Sequence, residues 1–157
     1  MKQKIALLLI TFCAAAAAQS SSGYVYFAPG GASSSGNTSM TIQVGGGGDF
    51  ILGKGIGVGA EIGAVGPTAD FSGALGVLSP DLSYHFIHEK ERKIDPYVTG
   101  GYTLLFRGGH ENLFNFGVGA NYWFAQKVGL KVEFRDQVYT QGTAVHFWGI
   151  HLGVAFR

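Results

Sequence analysis

The chain has 157 residues, 26 of them glycine, roughly 17% where a globular protein carries about 7%. Charged residues make up 13% while aromatics also reach 13% and hydrophobic residues 46%. This mix excludes a disordered chain and a collagen-like repeat, and it leaves too little charge for an ordinary water-facing surface. With 11 Lys+Arg against 10 Asp+Glu there is no basic excess for a nucleic-acid backbone to exploit.

The first segment reads as an address. Lys2 and Lys4 precede an apolar or small run over 5–18 (IALLLITFCAAAAA), and Ala16, Ala17 and Ala18 offer small residues at an A-x-A cleavage site. Fourteen residues are too few for a membrane-spanning helix, which needs about 20. Residues 1–18 are therefore expected to be a cleaved signal peptide and 19–157 the domain. A lipoprotein signal ending at Cys13 fits poorly, because bulky Phe12 precedes it. Cys13 is the one cysteine, so the exported chain is expected to hold no thiol, disulfide or cysteine metal site. No metal and no cofactor are expected.

Beyond the leader the pattern is alternation with period two, the mark of strands between unlike environments. Turn residues between the alternating runs predict eight strands, near 23–29, 39–50, 55–65, 72–86, 94–106, 112–124, 128–139 and 144–156. The connections are hairpin-sized, so the strands form an antiparallel meander. The longest connection is expected at 30–38 (GGASSSGNT). Pro80 falls mid-strand, where it removes a ladder hydrogen bond, and predicts a bulge at 79–81.

Parity separates two faces in all strands but the first, where it is ambiguous. Even positions carry Met40, Ile42 and Val44, then Ile56, Val58 and Ile62, and later Leu130, Val132 and Phe134; odd positions carry most glycines and charges. Small residues are wanted where space is scarce, inside a closed sheet, so the large apolar side chains point outward. A water-soluble barrel is arranged the other way round. Only lipid tolerates this outer face, and only a closed barrel leaves no backbone group unpaired there. Aromatic residues sharpen the point. Phe50, Tyr84, Phe86, Tyr122, Phe124 and Phe156 fall at one set of strand ends and Phe106, Phe114 and Trp148 toward the other, as two interfacial girdles.

With its eight strands, its leader, the segments at 115–124 (NFGVGANYWF), 128–136 (VGLKVEFRD) and 95–102 (DPYVTGGY), and a last strand ending on Phe156, the chain resembles the outer-membrane β-barrel domain family, typified by the OmpA transmembrane domain. The resemblance spans essentially all of 19–157. It implies an eight-stranded antiparallel up-and-down transmembrane β-barrel in the bacterial outer membrane, inserted by the barrel-assembly machinery, with both chain ends in the periplasm. Outer-membrane lipid and lipopolysaccharide are the implied surroundings, and the barrel is expected to be a monomer. Family members often end on the aromatic itself, whereas here Arg157 follows. The chain is expected to stop at the barrel, without a soluble peptidoglycan-binding domain.

The odd positions also carry Glu61, Asp81, Lys131, Glu133, Arg135 and His151, all at about one level of the predicted barrel. Strands three and seven lie opposite in a ring of eight, so Glu61 is expected to face Arg135 and Lys131 across a lumen filled by side chains. Unpaired charges there are costly, so a closed ionic network is expected. The function expected is structural, in the envelope. A narrow passive pore and adhesion through surface loops are the alternatives, and a lipid A-modifying enzyme a weaker one. Ser83 and His85 share a face, but Glu61 is expected to pair near Gly76, too far from Ser83. Asp81 points into a lumen no acyl chain can enter. No catalytic residue is therefore assigned. His146 and His151 differ in parity and share no metal site.

Overall fold

The computed structural model describes residues 20–87, 93–107, 109–140 and 142–157. The leader expected at 1–18 lies outside the described residues. Eight strands follow: β1 (Ser20–Ser34), β2 (Asn37–Gly53), β3 (Ile56–Pro67), β4 (Leu75–His85), β5 (Ile94–Phe106), β6 (His110–Trp123), β7 (Val128–Tyr139) and β8 (Val145–Phe156). Each pairs antiparallel with the next, and β8 closes on β1. Paired neighbours followed once around from Ile51 pass through Gly57, Ser83, Thr99, Gly117, Arg135, Gly149 and Gly30. They return to β2 at Thr41, ten residues from the start. That stagger tilts the strands and sets a lumen narrow enough for side chains to fill. The chain ends and the connections after β2, β4 and β6 share one end, here the terminal end; the other connections form the loop end.

The largest departure from expectation is β1. It does not stop at 29. It runs to Ser34, β2 starts at Asn37, and the nine-residue loop at 30–38 shrinks to the turn Ser35 and Gly36, with φ 47° and 84°. Two left-handed residues make the tight hairpin turn whose twist matches paired strands. The run looks like a linker by composition, yet Gly30, Gly31 and Ser33 pair with Gly149, Trp148 and His146. A Cβ on Gly31 would come within 2.9 Å of the Trp148 indole, so the small residues make room for the closing seam. β1 also has the opposite parity to the rest: Tyr24, Tyr26 and Ala28 are buried, and Val25 and Phe27 are exposed.

Pro80 produces no bulge. The β3 to β4 register runs through Ala60 opposite Pro80 without a shift, and Glu61 lies opposite Ser79 rather than near Gly76. Toward β5 the ladder has pairs at Leu78/Leu104 and Asp81/Gly101 with none between, in unchanged register. The missing donor is thus absorbed by a local gap, which the Ser79 and Thr103 hydroxyls bridge on the lumen side at 2.8 Å. Pro29 does the same at the seam, between Phe27/Leu152 and Gly30/Gly149. The register shift that does occur lies at Ile51/Gly53, beside the Lys54–Gly55 turn. β4 begins at Leu75, not 72, because Phe71–Gly73 forms a 3-10 turn capped by Asp70, whose carboxylate accepts from the Ser72 backbone N–H at 2.9 Å.

The faces divide as the alternation requires. Ile56, Val58, Leu130 and Val132 are exposed, whereas Glu61 and Arg135 are 1% and 2% exposed. All nine girdle residues (Phe50, Tyr84, Phe86, Tyr122, Phe124, Phe156, Phe106, Phe114 and Trp148) are 38% to 62% exposed. Inside, the odd positions hold more than glycine and charge. Near the loop end Val65, Val77, Leu105 and Leu113 pack together in the lumen, with Leu75, Tyr139 and Phe147 against them.

Candidate functional site: the lumen

The six charged or titratable residues expected inside (Glu61, Asp81, Lys131, Glu133, Arg135 and His151) are all buried in one network. Arg135 on β7 is its hub. Its Nη1 lies 3.5 Å from Glu61 Oε2 on β3 and 3.3 Å from Asp81 Oδ2 on β4, and its Nε donates to Glu133. Lys131 lies 2.7 Å from Glu133 Oε2 and donates to Tyr97, so its partner is the acid on its own strand rather than Glu61 across the lumen. His151 Nδ1 lies 3.8 Å from Glu61 Oε2.

Aromatic side chains finish this network. The Tyr24 and Tyr26 hydroxyls donate to Glu61 at 3.2 and 2.6 Å, Gln43 adds a third donor at 3.1 Å, and Tyr97 donates to Glu133 at 2.6 Å. Tyr26 stacks on His151, and the Lys131 ammonium sits 4.3 Å from the Tyr24 ring centroid and 4.5 Å from that of Tyr97. Sequence reasoning missed these tyrosines because it assigned aromatics to the outer belts. The inward glycines were the available signal. A Cβ on Gly47 would meet Tyr24 Oη at 2.7 Å, on Gly45 Tyr26 Oη at 2.8 Å, and on Gly119 Tyr97 Oη at 2.8 Å. Each lumen tyrosine lies where a neighbouring strand has no side chain.

A second cluster at the terminal end was also missed. Asp49 on β2 accepts from Ser83 Oγ at 2.9 Å and lies 2.9 Å from His85 Nε2, while His85 Nδ1 lies 2.9 Å from Asp95. Asn121 donates to Asp95 at 3.3 Å. The sequence reading weighed only Glu61 and Asp81 as acids for Ser83, although 49, 83, 85 and 95 share the inward parity. The order is Ser–Asp–His–Asp. The Ser83 hydroxyl donates to a carboxylate rather than to an imidazole, so the group does not have the Ser–His–acid order of an acyl-transfer triad. His146 stands apart on the outward face, 2.8 Å from Asp136 Oδ2, while His151 points inward.

From terminal end to loop end the lumen therefore passes through the Asp49–His85–Asp95 group, the Arg135 network and the apolar cluster. Beside Arg135, Gln137 and His151 lies a cavity of about 10 Å³, room for one water. Each layer brings four or more strands together, so the interior ties the cylinder across its width.

A closed eight-stranded barrel with an oily exterior and an ionic interior is the architecture of small outer-membrane β-barrels. The N-terminal β-barrel domain of Pseudomonas aeruginosa OprF is similar with a TM-score of 0.65 at 20% identity, covering 88% of this chain and 98% of that one. Neisserial surface protein A is similar at 0.67 and 14% identity, covering 87% and 96%. A de novo designed transmembrane β-barrel is similar at 0.54 and 17% identity, covering 86% and 93%. At these identities the likeness is one of fold, and a fold by itself does not fix an activity. No family profile matches the chain, and no curated protein matches its sequence.

Proposed function

We propose that the protein is an integral barrel of the bacterial outer membrane whose role is structural in the envelope. It is exported through the signal peptide at 1–18, inserted by the barrel-assembly machinery, and monomeric amid phospholipid and lipopolysaccharide, with its terminal end in the periplasm. The observation that carries this reading is the inversion of faces: a band of exposed Ile, Val, Leu and Phe runs between two aromatic belts while the charges pair inside. In water such a surface drives aggregation, whereas in hydrocarbon it costs nothing.

The layered lumen supports a sealed barrel over a pore. A conducting path must cross both the ion-paired Arg135 network and an apolar constriction, which dewets. Adhesion finds little support, since the segment expected to supply the longest loop is paired strand with a two-residue turn. The test is membrane fractionation together with gel mobility before and after boiling. The expected species sediments with the outer membrane and migrates differently unboiled. A soluble species whose mobility boiling does not change overturns the proposal.

A further inference from the structure

The terminal end carries a charge pattern that the lumen does not use. Among the described residues, its three connections and the end of β8 each present an exposed cation: Lys54 between β2 and β3, Lys93 before β5, Lys127 between β6 and β7, and Arg157 after β8 beside β1. Among the described residues no exposed acid accompanies them, and in the sequence of 88–92 the two acids Glu89 and Glu91 are matched by Lys90 and Arg92, which leaves the connection's net charge to Lys93. Asp49 and Asp95 face the lumen, each held by His85. The loop end differs, with exposed Asp70 and Glu111 beside Arg107 and His110. Arg157 is also fixed in place: its Nε donates to the Gln126 carbonyl at 2.9 Å and its guanidinium lies 4.4 Å from the Trp123 ring centroid.

Immediately inside this ring of cations lies the belt of Phe50, Tyr84, Phe86, Tyr122, Phe124 and Phe156. Aromatic belts sit at the headgroup level, so the cations just beyond them stand at the height of the phosphates. From this geometry we infer that the four form a binding ring for anionic phospholipid headgroups of the leaflet at the terminal end. The spacing favours lipid over a macromolecular partner. Net positive charge at every connection surrounds the cylinder as an annulus of lipid does, whereas a protein or polymer docked on one side would reach only some of it. Each cation close to an anionic surface contributes attraction that falls off within a Debye length.

The inference rests on the barrel spanning a bilayer, and the test separates the two. Full-length exported chain is folded into phosphatidylcholine vesicles with and without phosphatidylglycerol, and unboiled gel mobility first establishes insertion. Spin-labelled phosphatidylglycerol and phosphatidylcholine then report how much of each lipid the protein immobilises. The expected result is a preference for phosphatidylglycerol of about fivefold at low salt, much reduced in 1 M salt, and lost in K54E/K93E/K127E although that variant still inserts. Equal immobilisation of both lipids by the inserted wild type overturns the inference, as does a preference that survives charge reversal. Retention on purified peptidoglycan without lipid preference overturns it in favour of a polymer partner. Failure to insert in any vesicle would instead overturn the membrane reading.

Discussion

Arg135 ties three lumen carboxylates together. Its guanidinium serves Glu61, Asp81 and Glu133 on three strands, and a fixed fork of donors suits that task better than an ammonium. Arg135→Leu leaves three buried carboxylates without their shared cation. We expect a loss of about 3–5 kcal/mol, because breaking one side of a buried ion pair strands the other. Urea unfolding in detergent, followed by the unboiled gel band, measures it. Arg107→Ala is the control: its side chain is exposed and donates to the Ala74 carbonyl at 3.2 Å, and its loss is expected to stay within about 0.5 kcal/mol. Gly47 tests the complementary rule. A Cβ there would lie 2.6 Å from the Ala60 carbonyl oxygen as well as 2.7 Å from the Tyr24 hydroxyl. Gly47→Val is expected to cost about 1–3 kcal/mol through overpacking, measured in the same unfolding assay.

At the scale of the strand, the two interior prolines teach that a barrel absorbs a missing donor without shifting register. A slip by one residue would turn every side chain of a strand to the wrong face, oily into the lumen and charged into lipid. That penalty exceeds the loss of one ladder hydrogen bond, about 0.5–1.5 kcal/mol. The ladder thus opens at Pro80 and closes again in step at Asp81. Pro80→Ala restores the donor toward β5. Amide hydrogen exchange is expected to show a protected N–H at position 80 with unchanged protection at Leu78 and Leu82. Rapid exchange at 80 would mean that the gap has a cause other than proline.

For the whole molecule, the proposed structural role rests on two layers in series rather than on either alone. On the sealed-barrel proposal the ionic network resists ions by holding its charges in pairs, and the Val65, Val77, Leu105 and Leu113 cluster resists water by offering no hydrogen bond. The wild-type barrel is expected to give no single-channel steps in a planar bilayer. Arg135→Ala combined with Leu105→Ala removes one large side chain from each layer and is expected to produce fluctuating steps. Stable conductance of the wild type would reverse the assignment from sealed strut to pore.

The alternation of Val128 to Phe134 and the girdle aromatics already stated the strand count, the closed sheet and the outward oily face, because period two is a local property set by which environment each side chain meets. The sequence also made Glu61 and Arg135 inward residues by the same parity. It misread β1, since a Gly- and Ser-rich run looks like a loop until the seam with β8 supplies its partners. Nor could it place Asp49 beside His85, or Tyr26 over Gly45. Those meetings depend on the ten-residue stagger of the closed ladder, and a stagger exists only once every strand has paired and the last has found the first.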